Sequence, residues 1–136
     1  MSVATQDKEL HEFLVDVATT FAEHPYSWFD ARYDWYQPGL DGGRAVPGPN
    51  GWSNITGKVR ASNFEEGEKP GPWKTLGPDL VAKGFALLAT GPVGGLHESG
   101  RAHLLGEYGV RDAGNIDIND ADVVLQCAVF GEVVYG

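Results

Sequence analysis

Cysteine is nearly absent. Cys127 stands alone, so no internal disulfide can form. It lies among valines, a setting that suits a small buried residue and not a reactive thiolate, which needs polar or electropositive surroundings. Cations are also scarce, with ten Lys and Arg against nineteen Asp and Glu and a formal net charge of −9. Holding a nucleic-acid backbone takes clustered Lys and Arg, so this balance argues against a nucleic-acid partner. An acidic imitation of DNA would need carboxylates ranked along one face, and here they are dispersed. No apolar run approaches the ~20 residues of a membrane-spanning helix. The first residues lack the basic segment and apolar run of a secretory leader. Neither a membrane nor secretion is expected, so the Asn54-Ile55-Thr56 sequon carries no weight.

What is plentiful is glycine, nineteen residues, with eight prolines. An apolar fraction of 42% suffices for a core. Together these predict many turns, few long helices and one mainly β domain. Residues 5–22 are the exception. Leu10, Phe13, Leu14, Val17, Ala18 and Phe21 recur at i, i+3, i+4, i+7, i+8 and i+11, one stripe of an amphipathic helix. Thr5 suits its N-cap, Asp7 and Glu9 its first turn, and His24-Pro25 its end.

Six aromatics crowd residues 26–36, and residues 37–51 form a Pro/Gly-rich linker. The domain organisation predicted is therefore an arm and linker over 1–50 and a β body over 51–136. A short helix must bury its stripe, and a small body leaves little room. The arm is expected to pack across a subunit boundary, with Phe13, Val17 and Phe21 on the stripe. Trp28, Phe29, Trp35 and Tyr36 are its aromatic anchors. The competing expectation is that the stripe folds back on its own barrel, as a cap over one open end. A base- or sugar-stacking role for the rings is disfavoured, because Arg32 is the only basic residue among them.

In the body, residues 52–62 read as a strand with a turn near Gly57, and 64–72 as an acidic turn region. Gly77-Pro78 and Gly84 interrupt residues 73–90, which favours a turn at 82–84 and a strand at 85–89 over a short helix. A short helix is placed within 97–105. The apolar segment 121–136 alternates Val123, Leu125, Cys127 and Val129 against Val124, Gln126, Ala128 and Phe130. A helical face through Val123, Val124, Cys127 and Phe130 is the rival pattern. The valines and Gly131 favour a strand over 122–130, a bend at 131–132 and a continuation at 133–135.

Chemistry-bearing residues are sparse. His97, Glu98 and His103 lack the zincin spacing, because the histidines stand six apart with Gly100 between. Asp117, Asn119 and Asp120 open like a calcium loop but lack its later ligands and its glycine. No phosphate-binding or nucleophile-elbow motif is present. The inventory favours a binding or structural protein over an enzyme, with no cofactor or metal.

Three segments resemble the head decoration proteins of tailed bacteriophages, in an actinobacteriophage-like style. They are Ile55-Thr56-Gly57-Lys58-Val59, then Val81-Ala82-Lys83-Gly84-Phe85-Ala86-Leu87-Leu88, then Val123 to Val129 followed by Phe130-Gly131-Glu132-Val133-Val134. The match spans about residues 50–136, with 91–116 as an insertion. The resemblance implies a small barrel-like β body and a homotrimer bound to the major capsid protein. It also implies a location on the outer surface of the virion, after assembly in the host cytoplasm. Two other functions stay open: an acidic inhibitor of a host or phage enzyme, and a small-ligand binder or enzyme with a site around His97, His103 and Asp112.

Overall fold

A computed structural model describes the backbone over residues 3–23, 25–35, 40–41, 44–45, 55–62 and 69–135, and side chains over 9–23, 25–32, 57–62 and 69–135. Helix α1, Val3–Glu23, carries the predicted stripe. Phe13, Leu14, Val17, Ala18, Phe21 and Ala22 are all buried, and Val17 and Ala18 are fully enclosed. Strand β1, Phe29–Trp35, runs antiparallel to β4, Ile55–Ala61, with Phe29 opposite Ala61 and Trp35 opposite Ile55. Strand β5, Lys74–Leu76, adds to the other side of β4, with Val59 opposite Lys74. Between β1 and β4, Leu40–Asp41 (β2) and Arg44–Ala45 (β3) form a separate two-residue ladder. Thus the stretch read as a linker contains a short hairpin.

Three more helices follow: α2, Pro78–Thr90, α3, Glu98–Val110, and α4, Ile118–Phe130, with a 3-10 turn at Ala113–Asn115 before α4. The expectation of a mainly β, barrel-like body is therefore overturned. Among the described residues, four α-helices accompany one open three-stranded sheet of order β1-β4-β5. The strands predicted at 85–89 and 122–130 are helical, and the predicted continuation at 133–135 is irregular. Two local features account for the helices.

Asp117 caps α4. Its Oδ1 accepts the Asp120 amide at 2.8 Å, while the Asp117 amide donates to Asp120 Oδ2 at 3.2 Å, a reciprocal capping box. At the far end Gly131 adopts φ 77° and returns its N–H to the Cys127 carbonyl. With both ends fixed, tertiary packing outweighs the weak helix propensity of valine. Ala121, Val124, Leu125 and Ala128 make the inward face at helical spacing. The acids that open like a calcium loop, expected as a turn introducing a strand, are a helix start.

Gly84 is the second feature. It lies in mid-helix, where α2 and α4 form the most extensive helix pair of the fold. A Cβ there would fall 2.8 Å from Val124 Cγ1 and closer still to the Val124 carbonyl oxygen. The glycine that looked like a turn is a groove that lets two helices touch. Leu80, Val81, Phe85 and Leu88 bury the same face of α2, and Pro78 occupies the first turn, where its missing N–H costs nothing.

One core cluster draws on α1, β1, β4, β5, α2 and α4, so elements from both sides of the predicted boundary at residue 50 share it. Helix α1 packs on α2 and α4 of its own chain. Phe13 meets Phe85 at 5.4 Å, and Phe21 stands edge-on to Phe29 at 5.4 Å. The stripe folds back on its own chain, though against helices and an open sheet and not over the end of a barrel, and Phe13, Val17, Phe21 and Phe29, expected at a subunit boundary, are buried in this core.

Candidate functional site: an aromatic cleft and a cationic sheet face

A cleft of about 600 Å³ opens where the entry to β1, the starts of α3 and α4 and the C-terminal segment meet. Its wall is a stack of three rings. Trp28 lies between Tyr26, at 4.7 Å and 16°, and Tyr135, at 5.4 Å and 11°. The Trp28 indole N–H donates to Asp122 Oδ1 at 2.9 Å, and Gln126 Nε2 donates to Asp122 Oδ2 at 2.7 Å. The Tyr26 hydroxyl bonds Asn119 Oδ1.

Asp122 is buried in the first turns of α4. Desolvation pushes its carboxyl above the ordinary carboxylate range, against the lowering effect of its hydrogen bonds from Gln126 and Trp28. A titratable group so perturbed, in a sizeable cleft, marks a candidate site. Its partners also define a structural task. Gln126, fully buried, accepts the Val134 and Tyr135 amides on Oε1 at 2.8 and 2.9 Å and donates to the Tyr135 carbonyl at 2.8 Å. Val133 donates to the Gly94 carbonyl at 2.8 Å. Asp122, Gln126 and Trp28 thus form one network that clasps residues 133–135 against α4.

The residues suspected of chemistry are not brought together. His97 reaches the rim of this cleft. His103 Nε2 lies 3.2 Å from Asp120 Oδ2, and Asp112 accepts the Gly114 amide within the 3-10 turn. Cys127 is buried in α4, and desolvation pushes its thiol up to about 11. Among the described residues no three His, Cys, Asp or Glu side chains are grouped to hold a metal ion. No described helix is long and apolar enough to cross a membrane. Of the predicted anchors, Trp28 is half-buried in the stack and Phe29 lies in the core, stacked on Phe130 at 5.5 Å. Trp35 pairs with Ile55 through its backbone, whereas its side chain and all of Tyr36 lie outside the described residues.

The outer face of the sheet carries a feature that sequence reasoning missed. Inner positions Val59, Ala61 and Leu76 are buried against the helices. Alternate positions point the other way and converge on Trp73, just before β5. The Arg60 guanidinium lies 4.3 Å from the indole centroid, Lys58 Nζ 5.0 Å and the Arg32 guanidinium 5.6 Å. Asp30 pairs with Arg60 at 3.0 Å, whereas the next cross-strand pair is Arg32 opposite Lys58. Like charges directly opposite on a ladder destabilise it. Three of the chain's ten cations therefore meet around one ring. Only the i, i+2 spacing of Lys58 and Arg60 hinted at this, since Arg32 and Trp73 arrive from distant segments.

No protein-family model, curated protein or solved structure matches the chain.

Proposed function

We propose that this chain is a non-catalytic binding protein of the virion, seated on the outside of a phage head, where it holds the major capsid protein and stabilises the shell. The barrel implied by the resemblance is not part of this reading, because its second and third segments lie in α2 and α4. Its first segment is strand β4, which runs through Gly57 without the expected turn and contributes Lys58 to the outer face. The observation that carries the proposal is the convergence of Arg32, Lys58 and Arg60 on Trp73 in a chain of net charge −9. A docking surface of opposite sign to the rest of the molecule orients it on a partner. The internal engagement of Asp122 and Gln126 gives the cleft's polar groups a structural task and supports binding over chemistry. Quantitative mass spectrometry of gradient-purified particles tests the reading. Many copies per particle are expected, and abundance in the lysate with absence from particles would overturn it.

A second reading, a small-ligand binder, rests on the cleft beside Asp122 and the Tyr26–Trp28–Tyr135 stack. It predicts that fragments from an NMR screen shift the Trp28 indole resonance. A screen that leaves this resonance unmoved would dismiss it.

A further inference from the structure

The outer sheet face holds a like-charge pair at directly opposed positions. Arg32 and Lys58 are register partners on β1 and β4, both exposed, and both lie within 5.6 Å of the Trp73 centroid. Their repulsion opposes strand pairing. The adjacent pair, Asp30 with Arg60, is by contrast compensated by an ion pair at 3.0 Å. The half-buried indole gives all three cations an electron-rich surface that gathers them in one place. An arriving oxyanion would relieve the Arg32–Lys58 repulsion, and Arg offers it a planar fork.

We infer that Arg32, Lys58 and Arg60 around Trp73 form a docking site for an extended, carboxylate-rich segment of a protein partner. Spacing and extent favour this occupant. Lys58 and Arg60 stand two residues apart on one strand, roughly 6.6 Å along it. An extended acidic segment presents alternate carboxylates on one side at that same repeat. A nucleic acid, by contrast, is held by a stripe of cations along its backbone. Here the cations converge on a single ring and form no such stripe.

This inference rests on the reading of the sheet face as the docking surface. The test is fluorescence anisotropy of fluorescein-labelled octa-glutamate with the full chain at low salt. Octa-glutamine and octathymidylate are the comparison probes. The variants are the double substitution Arg32→Ser with Lys58→Ser, and Lys83→Ser on α2 as the control. Octa-glutamate should bind in preference to both other probes, and added salt should weaken it. The double variant should weaken it about tenfold or more, as loss of a charge-assisted contact requires. Lys83→Ser should leave it unchanged. Removing the like-charge pair should preserve or raise the thermal midpoint, so lost binding is not lost folding. Equal binding by the double variant and the parent would overturn the inference, as would no binding of octa-glutamate. Tighter binding of octathymidylate through the same residues would reassign the face to nucleic acid and overturn it too. Particle association that survives the double substitution would refute the docking site alone. Absence from particles, with octa-glutamate binding intact, would refute the virion reading alone.

Discussion

Replacing Gln126 with alanine should both destabilise the fold and release the C-terminal segment. The side chain is fully buried and makes four hydrogen bonds: to Asp122 Oδ2, to the Tyr135 carbonyl and from the amides of Val134 and Tyr135. The bond to the acid matters most. A hydrogen bond to a charged group contributes about 1.5–3 kcal/mol, and its loss leaves a buried carboxyl with Trp28 as its remaining donor. The backbone bonds contribute less, because a freed segment can turn to water; Val134 is already 52% exposed. Truncation also leaves a small void in α4. The expected cost is roughly 3–5 kcal/mol. For a chain of this length that lowers the midpoint by roughly 10–20 °C. Thermal unfolding followed by circular dichroism measures the first effect. Amide exchange at Val134 and Tyr135 measures the second, with protection expected to vanish at both. Val134→Ala is the control and should change little. A Gln126→Ala midpoint within a few degrees of the parent, with Tyr135 still protected, would refute the clasp.

Gly84→Ala should lower stability by about 2 kcal/mol or more, opposite in sign to the gain of roughly 1 kcal/mol that Gly→Ala gives in an open helix. A stabilised variant would show that α2 and α4 are not in close contact there. Asp122 has a folded-state pKa above its unfolded value, so the folded chain holds the proton more tightly. That contribution is complete below the unfolded value and is lost as pH rises through the folded one. The stability of the parent relative to Asp122→Asn should therefore fall as pH rises from about 4 towards neutrality, and a constant or rising difference in urea titrations would contradict it. Cys127, its thiol pushed up to about 11 by burial, should resist a thiol reagent in the native protein and react fully once unfolded. Immediate native labelling would place it outside the core.

Helix α1 was legible because its apolar residues keep one period from Leu10 to Phe21, about three turns, without a glycine or proline. Strand β4 was legible in part, since a strand was read over 52–62, but Gly57 spoke for a turn where the ladder runs straight through. Helices α2 and α4 were not, because local cues opposed them. Valines and Gly131 spoke for a strand, and Gly84 spoke for a turn. The deciding facts were an acid three residues before another, Asp117 and Asp120, and a partner backbone beside Gly84. The first is a capping signal that a sequence can display. The second exists only once two helices have met. The cationic face lay beyond local reading altogether, since Arg32, Lys58 and Trp73 come from three segments that only the antiparallel ladder joins. The cleft had one visible cue, the aromatic run that supplies Tyr26 and Trp28. Nothing in the apolar segment marked Asp122 and Gln126 as a clasp.

The packing of α1 on both α2 and α4 also has a consequence during synthesis. Residues 3–23 are the first part of the structure to leave the ribosome, and α4 is the last helix, over residues 118–130. Until residue 130 has been made, Phe13, Val17 and Phe21 have no completed surface to cover them. Such early exposure of apolar side chains invites chaperone capture or aggregation. Stalled nascent chains ending before Ile118 should accordingly be protease-sensitive and chaperone-bound. Chains released with α4 complete should become resistant in one step.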